Sequence, residues 1–366
     1  MTHTLDSTPK ADGFRMPAEW ERHAQTWMLW PQRPDNWRLG GKPAQRAFVE
    51  VATAISQFEP VVVGADHDQY QNARAQLPPQ VRVVELSSND AWMRDCGPAF
   101  VVNDEGDVRL VDWEFNAWGG LHDGLYFPWD KDAMVPLKLA ELTGVDRYRA
   151  PMVLEGGAFL VDGQGTLLTT EECLLSPGRN PHLSKEEMEG ILCDYLGLEK
   201  VIWLGRGMDP EETNGHIDGV LHYVAPAEVL LSWTDDPEDY RYEICRDNLT
   251  RLEAATDAPG RRFTVHRLPD PPWAEITEDD LWGTDVVEGS RALEAGPFPG
   301  TYANMYTCNG GVVYEKAGAP TDAAVQELLE KVFPDRKVVG VSASATHEIA
   351  LGGGGVHCIT QQQPAG

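Results

Sequence analysis

Four short stretches of the sequence set an ionisable or nucleophilic side chain close to glycine. Residues 90–98 read DAWMRDCGP and carry Trp92 and Asp95, while residues 154–157 read LEGG and carry Glu155. Residues 214–219 read NGHIDG, with His216 and Asp218, and Gly352, Gly353, Gly354 and Gly355 lead into Val-His-Cys358. A cysteine can supply a nucleophilic thiolate, but it needs a proton-transfer partner, usually brought from a distant part of the chain. Taken singly, each residue has a plain structural use: a buried thiol, a core histidine, a turn glutamate, an Asp–Arg pair. The glycine run argues for more at Cys358. Four glycines are costly in an ordinary strand, and they let backbone approach a ligand, which makes Gly353 and Gly354 candidate ligand contacts.

The spacing inside His216-Ile217-Asp218 predicts a shared surface. On an extended chain, residues two apart point to one face, so imidazole and carboxylate would lie together with Ile217 turned away. The same rule puts His357 and Cys358 on opposite faces, so that this adjacent pair is not expected to act as a dyad. His216 is the expected acid–base group.

These residues need elements to hold them, and a repeated phrase supplies those. Residues 97–110 (GPAFVVNDEGDVRL) and 156–168 (GGAFLVDGQGTLL) each read as strand, Asp/Gly turn and strand. Looser copies follow at 219–233 and 304–315, and EIALGGGGVHCIT (348–360) is read as the last of five strand-rich units. Amphipathic helices are predicted between them. Residues 42–58 carry Ala47, Phe48, Val51, Ala54, Ile55 and Phe58 on one stripe. At 184–196 a capping box of Ser184 with Glu187 opens a helix that Gly197 ends, and 321–333 repeats the design. Strand pairs alternating with helices about five times suggest radial repetition, a five-bladed α/β propeller with pseudo-fivefold repeats about a central site. The whole chain, 1–366, is expected to be one domain, with residues 1–15 as a flexible tail.

Composition narrows the partners. The 366 residues carry 58 acidic against 30 basic side chains, a net charge of −28, which repels phosphate backbones and excludes nucleic acid as a partner. Small cations are drawn to such a surface. With 42% hydrophobic residues, the chain can bury a large core. No window approaches a membrane span and the start lacks an apolar stretch, so a cytoplasmic protein that meets no membrane is expected. The six cysteines fit no zinc pattern, and neither a metal nor an organic cofactor is expected.

The joint pattern resembles the agmatine deiminase family within the guanidine-modifying pentein superfamily. The similarity runs from MPAEWERHAQTWMLWP (16–31) to HCITQQQP (357–364), through DAWMRDCGP, LEGGAFLVDGQGTLLTT, ETNGHID and GVHCITQQ. It implies a five-bladed α/β propeller, Cys358 as nucleophile, His216 as acid and base, and Glu155 as the orienting partner of His216. Asp95 and Asp218 would clamp a guanidinium, and Trp92 would form pocket wall. The implied reaction is hydrolysis of agmatine to N-carbamoylputrescine and ammonia through a Cys-thiouronium intermediate, as a step toward putrescine. A homo-oligomer, dimer or tetramer, is expected. The chain departs from the family where Asn often stands at Gly355 and Gly219, and where Asp often stands at Glu211.

The chemistry of the residues fits this without the family. A guanidinium is planar and cationic, matching carboxylates that hydrogen-bond it in its plane. Asp209, Glu211 and Glu212 lie on an acidic loop just before His216, where a distal ammonium would be attracted. Alternatives are a related enzyme acting on arginine, methylarginine or another guanidine as deiminase or amidinotransferase, and a non-catalytic acidic propeller binding cationic ligands. An arginine-type substrate needs a cation for its α-carboxylate, which the 209–212 loop does not offer.

Overall fold

The computed structural model describes residues 2–208 and 213–366. Among these residues, five sheets of three or four strands share one plan. Each is an antiparallel pair whose second strand takes a third in parallel across a helix. In the first unit Ala99–Val102 pairs with Val108–Glu114, which pairs with Arg147–Val153 across the helix Val135–Thr143. In the second, Phe159–Val161, Thr166–Thr170 and Lys200–Leu204 do the same across Lys185–Leu196. The third uses Leu221–Ala225, Glu228–Trp233 and Thr264–Pro269, with the helix Arg241–Ala254. The fourth uses Tyr306–Cys308, Gly311–Glu315 and Lys337–Val341, with the helix Thr321–Val332.

The fifth unit is built from both ends of the chain. Gln361–Pro364 pairs antiparallel with His23–Leu29, which lies parallel to Val61–Ala65 across the helix Lys42–Ile55. The sequence phrase assigned to this unit is therefore corrected in its first half. Ala343–Leu351 is a helix capped by the Ser342 hydroxyl, with Ala345 and Ile349 buried four residues apart. Only after the turn that follows the glycines does the chain become a strand.

The helices follow their sequence signals closely. The Ser184–Glu187 capping box forms, Met188, Leu192 and Leu196 are buried, and Gly197 ends the helix with φ of 65°. The first residues depart from the expected flexible tail. Thr4–Leu5 pairs in parallel with Arg147 and Tyr148, Arg15 bridges Val102, and Phe14 packs edge-on against Tyr148. Phe14 is buried, a contribution of about 1.5–3 kcal/mol, and this apolar anchor orders the segment. The stretch 270–300 holds a two-stranded ribbon, Ala274–Ile276 with Gly296–Phe298, flanking the cleft described below. Among the described residues, no helix is long and apolar enough to cross a membrane.

Candidate active site

In every unit the residue group just before the first strand of the hairpin is polar, and these five groups converge. Asp95 lies in the short helix Met93–Cys96 ahead of Ala99, and Glu155 precedes the turn Gly156–Ala158 ahead of Phe159. His216 and Asp218 flank the turn ahead of Leu221, Asn304 stands ahead of Tyr306, and Cys358 ahead of Gln361. All six side chains are buried. His216 Nδ1 lies 3.9 Å from Asp95 Oδ1 and 4.0 Å from Asp218 Oδ1, and its Nε2 lies 3.8 Å from Glu155 Oε2. Cys358 Sγ lies 3.7 Å from Asp218 Oδ2 and 3.3 Å from Asn304 Nδ2. The His216 separations exceed hydrogen-bond length, as is common before a ligand tightens a site.

Glycine makes this approach possible. A Cβ on Gly157 would stand 2.6 Å from His216 Nδ1 and 2.9 Å from both Asp218 Oδ2 and Asp95 Oδ1, so no side chain fits there. The Gly157 backbone N–H donates to Asp95 Oδ1 at 3.0 Å, and Trp118 Nε1 donates to Oδ2 at 3.0 Å, fixing that carboxylate in one plane. Gly353 lines the cleft with φ of 104°, and a Cβ on Gly354 would meet the Trp92 ring at 2.6 Å. Trp92 packs between Trp37, a tilted neighbour with ring centroids 5.3 Å apart, and Trp118, an edge-on neighbour at 6.5 Å. A cleft of about 270 Å³ opens over Cys358, His216 and Asp218. A narrower one reaches Cys358 from the Trp92, Asp95 and Trp118 side.

Two local conformations differ from the extended reading. Ile217–Gly219 is a tight 3-10 turn, which carries His216 and Asp218 to one face by curling rather than by strand alternation. Val356–Ile359 is likewise a turn, so His357 is not directed away from the site. Its Nδ1 lies 2.9 Å from Asp218 Oδ2 and its Nε2 2.7 Å from Glu19 Oε2, with Arg94 3.6 Å beyond. His357 thus holds the carboxylate that faces Cys358. His357→Ala leaves buried Glu19 and Asp218 short of a partner, a defect of about 3–5 kcal/mol for a broken buried pair. The expected result is a lower melting temperature in a circular-dichroism melt. An unchanged melting temperature would show that Asp218 and Glu19 keep their places unaided.

Residues 15–364 match the sequence profile of the Porphyromonas-type peptidyl-arginine deiminase family. The chain belongs to this family. It is 54% identical over 362 residues to the agmatine deiminase of Pseudomonas aeruginosa, covering 98% of each chain. It superposes on the agmatine deiminase of Enterococcus faecalis with a TM-score of 0.96 and 52% identity, over 100% of both chains. The α/β fold extends to an amidinotransferase from Microseira wollei, with TM-score 0.53, 13% identity, and coverage of 96% and 97% of the two chains.

The electrostatics of the family member divide its acidic groups by role. Burial pushes Asp95 up to about 6, with His216 opposing and Asp218 and Glu155 adding to the rise. Burial also works on Asp218 and Glu155, but His357 with His216 and Arg94 holds Asp218 below the usual range. Arg179, 2.8 Å from Glu155, does the same for that residue with help from His216. Burial disfavours a charged His216, yet Asp95, Cys173 and Glu155 outweigh it and raise its pKa well above the ordinary value. Burial, Asp218 and Asp95 together push the Cys358 thiol far up. The arrangement therefore sets a protonated imidazole and a protonated thiol beside the buried carboxylates of Asp95, Asp218 and Glu155.

Sequence reasoning passed over several of these groups. Asn304 had a signal, because it opens the fourth unit as Asp95, Glu155 and His216 open the first three. Arg179 and Glu19 had none, since their partners come from remote turns. Cys173 gave no signal among the six cysteines, but its ligand atom lies within 4.8 Å of those of Glu155 and His216. These three donors could surround a metal ion; Arg179 instead brings positive charge to Glu155 directly. The acidic residues Asp209, Glu211 and Glu212 lie outside the described residues.

Proposed function

We infer that this protein is an agmatine deiminase, a hydrolase that converts agmatine and water to N-carbamoylputrescine and ammonia. The observation that carries the reading is the meeting of Cys358, His216, Asp95 and Asp218 in one buried cleft, in a chain more than half identical to agmatine deiminases. Asp95 and Asp218 supply two carboxylates for the in-plane N–H groups of a guanidinium, and Trp92 supplies a flat apolar wall.

The steps follow from these positions. Cys358 loses its thiol proton to solvent beside the bound guanidinium, and the thiolate forms a C–S bond to the central carbon, giving a tetrahedral adduct. The C–N bond to one terminal nitrogen breaks, and His216 gives that nitrogen the proton with which it leaves as ammonia. A thiouronium remains on Cys358. His216, now neutral, takes a proton from water, whose oxygen attacks the same carbon. The C–S bond breaks and the adduct's hydroxyl proton passes to solvent, restoring the thiolate and releasing the neutral carbamoyl product. Glu155, itself anchored by Arg179, orients the imidazole through both transfers. No step calls for a cofactor.

In the finer reading, the five units turn about a pseudo-fivefold axis as propeller blades in one domain, and the five polar openings meet near that axis. The protein works in the cytoplasm as a homo-oligomer, on a path toward putrescine. Recognition of the distal ammonium of agmatine is assigned to Glu212 and its acidic neighbours Asp209 and Glu211, which shortly precede His216 in the sequence. An arginine α-carboxylate would meet like charge there, a cost of several kcal/mol when desolvated. A difference of ~4 kcal/mol is roughly a thousandfold in kcat/KM. The test is ammonia release from agmatine, arginine, methylarginine and guanidinobutyrate, with Glu212→Gln as a second arm. A thousandfold preference for agmatine that shrinks in Glu212→Gln is expected. Comparable rates on agmatine and arginine would overturn the substrate assignment.

A further inference from the structure

One buried carboxyl beside the nucleophile has no part in the chemistry above. Glu315 ends the second strand of the fourth unit, is only 5% exposed, and lines the large cleft with Asn304, Asp218 and Cys358. Among the described residues it has no ion-pair partner, and its Oε1 lacks any hydrogen bond. An unsatisfied buried carboxyl calls for an explanation.

The turn that carries Cys358 supplies it. A Cβ on Gly355 would stand 2.6 Å from Glu315 Oε2 and 2.5 Å from Asn304 Oδ1. Gly355 does not adopt the left-handed backbone of Gly353, so its conformation alone does not demand glycine. It is glycine because two side chains from the fourth unit fill the space above it. Those side chains also hold the next three amides. The Val356 N–H interacts favourably with the Glu315 carboxyl, while Asn304 Oδ1 accepts from His357 N at 2.9 Å and Cys358 N at 3.3 Å.

We propose that Glu315 is a positioning residue for the nucleophile, packing over Gly355 and holding the Val356 N–H so that the Cys358 sulfur faces the cleft. The proposal rests on the deiminase reading for its kinetic arm but not for its thiol arm. Burial raises the Glu315 pKa well above the ordinary value, with Asp218 adding and the Val356 N–H opposing. The side chain therefore acts as a neutral acid, for which glutamine is a close substitute in shape and acceptor. Alanine removes both the filling and the acceptor.

The experiment compares E315Q, E315A, G355A and the E315A/G355A double variant. It measures kcat and KM for agmatine, and the iodoacetamide alkylation rate of Cys358 without substrate. A sulfur displaced by about 1 Å can lose up to roughly a hundredfold in rate, so E315A should lower kcat about 10- to 100-fold with KM within about threefold. E315Q should recover most of that loss. G355A should damage the protein by the opposite route, crowding Glu315, and should cost less in the E315A background than alone. Alkylation should change in E315A and return toward the native rate in E315Q. A native kcat in E315A, a loss confined to KM, or E315Q as impaired as E315A would overturn the proposal. If E315A does not fold, additive losses in E315Q and G355A would overturn it and non-additive ones support it. If the native protein releases ammonia from no guanidine, the deiminase reading fails, and the alkylation rates alone decide on Glu315.

Discussion

Cys358→Ser is expected to give a folded protein that releases ammonia from agmatine at less than about one-thousandth of the native rate. The substitution removes the one nucleophile in contact with the carboxylate clamp, and a serine hydroxyl is far harder to ionise than a thiol. Even the native thiol is held protonated by burial, Asp218 and Asp95. The substrate corrects this. A unit positive charge about 4 Å from sulfur is worth about 4 kcal/mol at an effective dielectric constant of 20, or roughly three pKa units. On the proposed route agmatine therefore activates the group that attacks it, and the thiol is less reactive without substrate. Serine at 96, 193, 245 or 308 should leave most activity, since none of these cysteines lines the cleft. Cys173 is set apart, because Cys173→Ser alters the surroundings of His216. Ammonia release and a circular-dichroism melt on each variant check the expectation; a Cys358→Ser enzyme with native turnover would remove the covalent route altogether.

What the sequence disclosed followed from how local each signal was. The Ser184–Glu187 box, Gly197 and the apolar stripe of Lys42–Ile55 are satisfied within a few residues of themselves, so they could be read directly. The hairpin phrases were legible for the same reason. Ile217–Gly219 and Val356–Ile359 were not, because such short turns are held by outside partners: Ser232 and Thr301 for the first, Asn304 and Glu315 for the second. The reading of His357 failed there, since strand alternation has no meaning in a turn. The fifth sheet pairs residues more than 330 apart, Gln361 with Trp27, and no local pattern could have joined them. Arg179 and Glu19 stayed invisible because a buried counter-charge is defined by where it lands. Glycine was the exception. Gly157 and the 352–355 run marked places where functional groups crowd the backbone, and that mark survives in sequence alone.

The second large effect is expected at His216, where alanine should lower kcat by roughly 10²–10⁴-fold, the range for a positioned acid–base group. The pH profile separates loss of proton transfer from general damage. In kcat/KM, which reports the free enzyme, the native protein should lose activity as pH falls through about 6, where Asp95 takes up a proton and no longer holds the guanidinium by charge. On the alkaline side His216 must be protonated to release ammonia, and its raised pKa keeps it so through neutral pH. Activity should therefore decline only as pH rises past that raised value. In His216→Asn, which keeps a hydrogen-bonding group but cannot titrate, the residual rate should retain the acid limb and lose the alkaline one. Because Asp95, Asp218 and His216 titrate as a coupled set, each limb belongs to the cluster. Removing the His216 cation should also move the acid limb to higher pH, since that cation opposes the rise of the Asp95 pKa. An alkaline limb that persists unchanged in His216→Asn would assign the leaving-group proton to another residue. With His357 already committed to Glu19 and Asp218, the neighbour left to test would be Cys173.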